Sequence, residues 1–324
     1  MNLGVIGSSQ IVSHHLDSLI NTGFIPAAIG TRKNSTRSML VGEKYNFKNI
    51  CNSWEEVLNQ NIDALLIASK TDFNYSILMK ALEKGIPILI EKPVSTDLDE
   101  LKEVTMSLNS DLVQVGYNRR FYSSVQKIRS EISLLENYYF EMKISELSHQ
   151  KESNLGDRKK SIVTNSVHML DLAIYLFGNL RLDKIDIIKT NDNLDAISVN
   201  CLTSSGIKGN LLFTFGIPLN NSIQVISNGL RLNLMPVEHY SQFDKMTVIP
   251  SSAENPIRTY LPETTKNAWK ISLEDKNFKP GFLAQSRYFQ NKVAKKENPS
   301  DLVAATLEEA LIVMKLCHKI LNEI

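Results

Sequence analysis

The first 120 residues alternate short apolar runs with amphipathic stretches, and this alternation limits the possible folds more than any other feature of the chain. Apolar runs at 3–7, 24–30, 62–68, 86–90 and 112–117 have the length of strands. Most lack a polar face, which fits strands buried on both sides of a parallel sheet. Between them Ile11, Val12, Leu16, Leu19 and Ile20 recur at helical spacing, and 72–84 and 96–108 are long enough for helices, the former ended by Gly85. Another helix runs through Met39 and Val41, and Ser53 opens a short one with Glu56 placed to complete a capping box. Repeated strand–helix–strand units of this kind predict a doubly wound α/β domain.

After Phe121 the pattern changes. Runs at 138–147, 182–189, 196–202, 207–216, 222–228 and 230–235 read as strands, the later ones at hairpin distances with Asn228–Gly229 as a type I′ turn. A polar loop at 149–160 precedes a helix predicted over 161–176, and helices at 282–295 and 302–322 close the chain, parted by Pro299. The expected fold is α/β: a Rossmann doubly wound parallel sheet in 1–120, then an α+β domain in 121–324 on a large, mostly antiparallel open sheet. The C-terminal helix is expected to pack back on the first domain.

Charge and cysteine content narrow the functional classes. Lys plus Arg number 36 against 35 Asp plus Glu in 324 residues, a net charge of +1, which provides no global field to hold nucleic acid or an anionic membrane. No apolar run reaches the ~18–20 residues of a membrane helix, and Leu3 to Ile6 enters the first strand without a basic leader, so a cytoplasmic protein is expected. Cys51, Cys201 and Cys317 are odd in number and widely spaced, which fits a reducing compartment. The six histidines lack metal-ligand spacing, and no metal is expected.

The turn Gly7–Ser8–Ser9–Gln10–Ile11 sits between the first strand and first helix, where a Rossmann backbone bends over a pyrophosphate. Its glycine pattern is degenerate: Gly7 keeps the tight turn, Ser9 stands at the second glycine position and Val12 at the third. A strand–turn–helix without a ligand remains an alternative for this segment. At the end of the second strand, Gly30–Thr31–Arg32–Lys33–Asn34–Ser35 has no acid to bind a ribose 2′-hydroxyl. NADP(H) is therefore favoured, with Thr31, Arg32 and Ser35 as phosphate contacts, and NAD(H) stays open because a solvated Arg32–Lys33 turn reads the same way.

These segments, with Ala68–Ser69–Lys70–Thr71, Glu91–Lys92–Pro93, Gly116–Tyr117–Asn118–Arg119–Arg120–Phe121 and His168–Met169–Leu170–Asp171, resemble the Gfo/Idh/MocA oxidoreductase family in order and spacing. The resemblance implies hydride transfer between NAD(P) and a carbon of a sugar, polyol or nucleotide sugar, and a homodimer or tetramer built through the C-terminal sheet. It places Ser69, Glu91 and Lys92 beside the cofactor and makes Lys92 and His168 the proton-handling pair. A free lysine, with a pKa of about 10.4, is a poor base at neutral pH, so burial beside a cationic ring is expected to lower it. The family commonly has an acid four residues before the histidine, where this chain has Thr164. Thr164 and Asn165 are then candidate substrate contacts, Asp171 a substrate contact, an orienter of His168 or a brace, and Arg119 a holder of a carboxylate or phosphate, with surface pairing as its alternative. Lys70 and Asn74 stand where the family often has proline and histidine. A cofactor-binding sensor without turnover, favoured by the missing acid, and a reductase of a non-sugar substrate such as a linear tetrapyrrole are the competing readings.

Overall fold

The computed structural model describes residues 1–146, 154–191, 193–267 and 276–324, in two units. The first comprises 1–121, 162–171 and 276–322, and the second holds most of the remainder. In the first unit, β1 (Asn2–Ile6), β2 (Ile25–Gly30), β3 (Asn49–Cys51), β4 (Ala64–Ile67), β5 (Ile88–Ile90) and β6 (Val113–Val115) form a parallel sheet in the order β3-β2-β1-β4-β5-β6. The chain reverses its direction of sheet growth between β1 and β4, and ligands in such sheets bind at the carboxyl ends of the strands at that point.

The helices are α1 (Gln10–Asn21), α2 (Thr36–Lys44), α3 (Trp54–Leu58), α4 (Thr71–Leu82) and α5 (Leu98–Met106). All four residues of β4 are fully buried, as strands covered on both faces require. On α1 the inward stripe is Val12, His15, Leu16 and Leu19, at spacings of three and four. Burial of each apolar member contributes roughly 1.5–3 kcal/mol, which sets the turn before α1 on a rigid support. Two more helices, α9 (Phe282–Val293) and α10 (Leu307–Leu321), complete this unit after the second sheet. Phe289 of α9 stacks on Phe24, with ring centroids 5.8 Å apart, and Ala305 just before α10 pairs with Val115 of β6.

The second unit is an eight-stranded sheet in the order β14-β13-β12-β11-β7-β10-β9-β8, antiparallel except for β7 beside β10. Its strands are β7 (Tyr139–Glu146), β8 (Leu180–Thr190), β9 (Asn193–Thr203), β10 (Lys208–Phe215), β11 (Ser222–Ser227), β12 (Leu230–Leu234), β13 (Tyr240–Ile249) and β14 (Thr259–Asn267). One face buries Phe140, Met142, Leu211, Phe213, Ile223 and Val225, with the Phe140 ring lying over Gly209, where a Cβ would come within 2.2 Å. The α6 helix (Ser123–Ile132) packs on β12 and β13.

Five expectations change. The strand β3 was not anticipated: it is a three-residue edge strand with Ile50 exposed, too short to show a period. Strands β13 and β14 were likewise missed, because Met246, Val248, Ile249, Tyr260 and Leu261 are exposed there and the inside–outside alternation is lost. Glu56 bonds the Asn52 amide, not that of Ser53, so only the serine half of the expected capping box forms. The helix predicted over 161–176 is two helices, α7 (Leu155–Thr164) and α8 (Val167–Phe177), broken at Asn165–Ser166. Of the predicted polar loop, residues 149–153 lie outside the described residues, and most of the rest is α7. Among the described residues no helix is long and apolar enough to cross a membrane, and no cluster of potential metal ligands occurs.

Candidate active site

The carboxyl ends of β1, β2 and β4 open into a groove of about 1080 Å³. Gly7 makes its floor: φ is +135° there and a Cβ would stand 2.3 Å from the Ala68 carbonyl oxygen, so this position admits only glycine. Ser9 is the N-cap of α1 but its side chain makes no capping bond. The first amides of α1 are therefore left available to an anion at the positive end of the helix. Ser8, Ser9 and Ser69 line the groove, while Gln10, the first residue of α1, is exposed and lines neither cavity described here.

Thr31, Arg32 and Ser35 line the far end of the groove with Lys33 and Arg37. The Ser35 hydroxyl caps α2, accepting from the Ser38 amide at 3.3 Å, and Thr31 Oγ1 lies 3.0 Å from Ser38 Oγ. Arg32 is exposed and enters no ion pair among the described residues. Glu55 is the acid in this wall, and it comes from α3, not from the end of β2. The groove thus fits a dinucleotide, and Arg32, Lys33 and Arg37 stand in its wall at the end of β2 and the start of α2.

A second cavity of about 330 Å³ adjoins the same turn and takes Ser9, Ile11, Ser69, Glu91, Lys92, Asn118 and His168 into its wall. Glu91 and Lys92 follow β5 directly. Glu91 Oε1 lies 2.6 Å from Nε2 of His15, which is only 1% exposed, and Oε2 accepts from the Lys92 amide at 3.1 Å. His15 thereby fixes the carboxylate that fixes the lysine backbone. Asn74 does similar work on the other side, accepting from the Ser69 hydroxyl at 2.6 Å and donating to the Pro93 carbonyl at 3.1 Å.

The break between α7 and α8 gives the Lys92 amine its partner. The amide of His168 bonds the Asn165 carbonyl, those of Met169 and Leu170 bond that of Ser166, and the last residue of α7 before the break is Thr164, whose carbonyl oxygen meets Lys92. Lys92 Nζ donates to that oxygen at 3.0 Å. Thr164 thus offers the amine a backbone carbonyl and no carboxylate. Asn165 is exposed in the turn.

His168 stands in the first turn of α8, edge-on to Tyr117, with 6.0 Å between ring centroids. Its Nδ1 is buried with no hydrogen-bond partner. Burial first, and then the charges of Lys92, Arg119 and Lys279, push its pKa well below the ordinary value, so the ring is neutral at physiological pH. Burial also raises the Tyr117 hydroxyl well above its ordinary value.

Asp171 is neither a substrate contact nor the orienter of His168. It is 0% exposed and forks onto Arg120 at 2.6–3.1 Å, and Arg120, also 0% exposed, reaches Glu309 at 2.9–3.0 Å. Burial pushes the Asp171 carboxyl up to about 6 against the pull of Arg120. Burial would lower Arg120, but the two carboxylates outweigh it and raise it. Glu309 also closes a capping box with Thr306 at the start of α10, so the triad ties α8 to α10. Arg119, one residue earlier, keeps a buried Nη1 without a partner.

His15, Lys279 and Phe282 escaped the sequence reading. His15 carried a signal, a polar side chain inside the apolar stripe of α1. Lys279 and Phe282 carried none, being brought to the cavity by a bond from Asn118 Nδ2 to the Pro280 carbonyl, 162 residues away in sequence.

Residues 1–118 match a family model described as an oxidoreductase family with an NAD-binding Rossmann fold, GFO_IDH_MocA. Among curated proteins the chain is 26% identical over 194 residues to an inositol 2-dehydrogenase of Corynebacterium glutamicum, a match covering 55% of each. It is 26% identical over 186 residues to an uncharacterised oxidoreductase of Bacillus subtilis, covering 54% of this chain and 53% of that one. The chain thus spans about half the length of the curated relatives it matches. Among solved structures, a levoglucosan dehydrogenase in complex with NADH superposes with a TM-score of 0.75 at 14% identity, covering 99% of this chain and 96% of that one. A UDP-N-acetylglucosamine 3-dehydrogenase of Acidithiobacillus ferrooxidans gives 0.75 at 15% identity, covering 100% and 97%. At such identities these two structures speak for the fold.

Proposed function

We propose, from a first domain that matches the model of the Gfo/Idh/MocA oxidoreductase family, that this chain is an NAD(P)-dependent oxidoreductase acting on a hydroxyl-bearing carbon of a sugar, polyol or nucleotide sugar. The observation that carries the reading is the Lys92 amine, bound to the Thr164 carbonyl at 3.0 Å and lining one cavity with His168 beside the Gly7 turn. Gly7 and the uncapped amides of α1 suit a pyrophosphate, and Arg32, Lys33 and Arg37 favour the extra phosphate of NADP(H).

A bound nicotinamide supplies the hydride acceptor or donor. The chain's own groups handle the oxygen and its proton. Lys92 lies where it can take the proton of a hydroxyl as the carbinol carbon loses hydride, and return it in the reverse direction. His168, held neutral, is a hydrogen-bond partner for the same oxygen. The Thr164 carbonyl orients the amine without adding a negative charge. We also propose assembly into a homodimer or tetramer through the eight-stranded sheet, whose exposed Met246, Val248, Tyr260 and Leu261 suit a covered face, and residence in the cytoplasm, consistent with three buried, unpaired cysteines.

A screen of NADPH and NADH oxidation against keto-sugars and nucleotide keto-sugars, run in both directions, tests the reading. Turnover of at least one substrate class is expected. Tight cofactor binding with no turnover across the panel would instead support a sensor.

A further inference from the structure

The reaction cavity has an unbalanced charge. Lys92 and Lys279 line it, and Arg119 follows the lining residue Asn118 directly and acts on His168 electrostatically. Among the described residues its one acidic lining residue, Glu91, already serves His15 with one oxygen and the Lys92 amide with the other. Thr164 supplies a neutral carbonyl, Asp171 is locked to Arg120, and His168 carries no charge.

Neither Arg119 nor Lys279 enters an ion pair among the described residues. Arg119 has a buried Nη1 with no hydrogen-bond partner, a costly state for a guanidinium unless a ligand completes it. Lys279 is exposed at the cavity, and its amine stands 5.3 Å from the ring centre of Phe282. Its position is built in: Asn118 Nδ2 bonds the Pro280 carbonyl at 3.1 Å, Gly281 turns with φ +79°, and the Phe282 ring packs 4.7 Å from that of His15. A neutral polyol gives these charges nothing to pair with.

We infer that the substrate carries an anionic group, a carboxylate or a phosphate, received by Arg119 and Lys279 while Lys92 and His168 face the reacting hydroxyl. A guanidinium fork suits either group and a lysine adds a mobile charge. This inference rests on the oxidoreductase reading only for the reacting hydroxyl.

The test compares substrates that differ only in the charged group: galactose with galacturonate and with galactose 6-phosphate, and glucose with its matching pair, each with the cofactor-loaded protein. The wild type should favour the anionic member by about 10- to 100-fold in kcat/KM, mainly through KM, with a preference that shrinks as salt rises. In Arg119→Met and Lys279→Met that ratio should fall toward one. Comparable kcat/KM for neutral and anionic members, or a ratio unmoved by both substitutions, overturns the inference while leaving the oxidoreductase reading intact. So does a Lys279→Met effect confined to cofactor affinity, which would assign that cation to the cofactor pyrophosphate. If no sugar is turned over, calorimetric titration of the loaded protein with glucuronate and glucose decides. Binding of glucuronate alone that needs Arg119 upholds the anion site and sinks the oxidoreductase reading, and no binding of either sinks the anion site.

Discussion

Replacing Arg120 with methionine should cost more stability than any other single change near the site. Arg120 and Asp171 are both 0% exposed, and their forked pair has N–O distances from 2.6 to 3.1 Å. Methionine roughly fills the aliphatic part of the space but leaves the carboxylate buried and unpaired. Glu309 is 27% exposed and can turn to water, so most of the loss belongs to Asp171. Breaking a buried pair on one side costs about 3–5 kcal/mol, a large share of the roughly 5–15 kcal/mol that holds a domain folded. Urea denaturation followed by far-ultraviolet circular dichroism measures it. The double variant Arg120→Met/Asp171→Leu removes both charges and should recover most of the loss, because a buried ion pair replaced by apolar groups is often neutral. A loss below about 1 kcal/mol for Arg120→Met, or a double variant as unstable as the sum of the two singles, would refute the triad as the tie between α8 and α10.

Gly7→Ala should weaken NADPH binding at least about tenfold and destabilise the first unit by roughly 1–3 kcal/mol, since its Cβ would meet the Ala68 carbonyl at positive φ; unchanged affinity in a fluorescence titration would remove the groove from cofactor binding. Arg32→Ala should lower affinity for NADPH by about tenfold with little change for NADH, and equal affinities of the wild type for the two would sink the phosphate reading. His168 has a folded-state pKa well below 6.5, so as pH falls below 6.5 the unfolded chain takes up a proton that the folded chain refuses. Stability is therefore full above pH 6.5 and declines from there toward the folded-state pKa, and His168→Gln should flatten that decline; identical acid limbs in the two proteins would contradict a buried neutral ring.

The sequence carried the first sheet well, because strands buried on both faces write themselves as unbroken apolar runs such as Ile62 to Ala68. It carried β3, β13 and β14 poorly, since an edge strand or an exposed one has no face to mark. The continuous apolar stripe of Val163, Val167, Leu170 and Ile174 concealed the break at Asn165–Ser166, beside which the Thr164 carbonyl accepts from Lys92. Likewise Asp171 looked available three residues after His168. Only tertiary packing reveals that Arg120, 51 residues earlier, had already claimed it. Lys279 was illegible for the same reason: its place in the cavity is fixed by a backbone contact to Asn118, and no local pattern records that.

Lys92→Met tests most directly whether Lys92 handles the proton of a hydride transfer. With a substrate found by the screen, single-turnover rates of wild type and variant are compared alongside NADPH affinity measured on the same samples. Loss of a positioned acid–base group should slow the chemical step by about 10²–10⁴-fold while the affinity for NADPH stays near that of the wild type. A variant that turns over at close to the wild-type rate, with cofactor bound, would contradict the account and move the chemistry to another group.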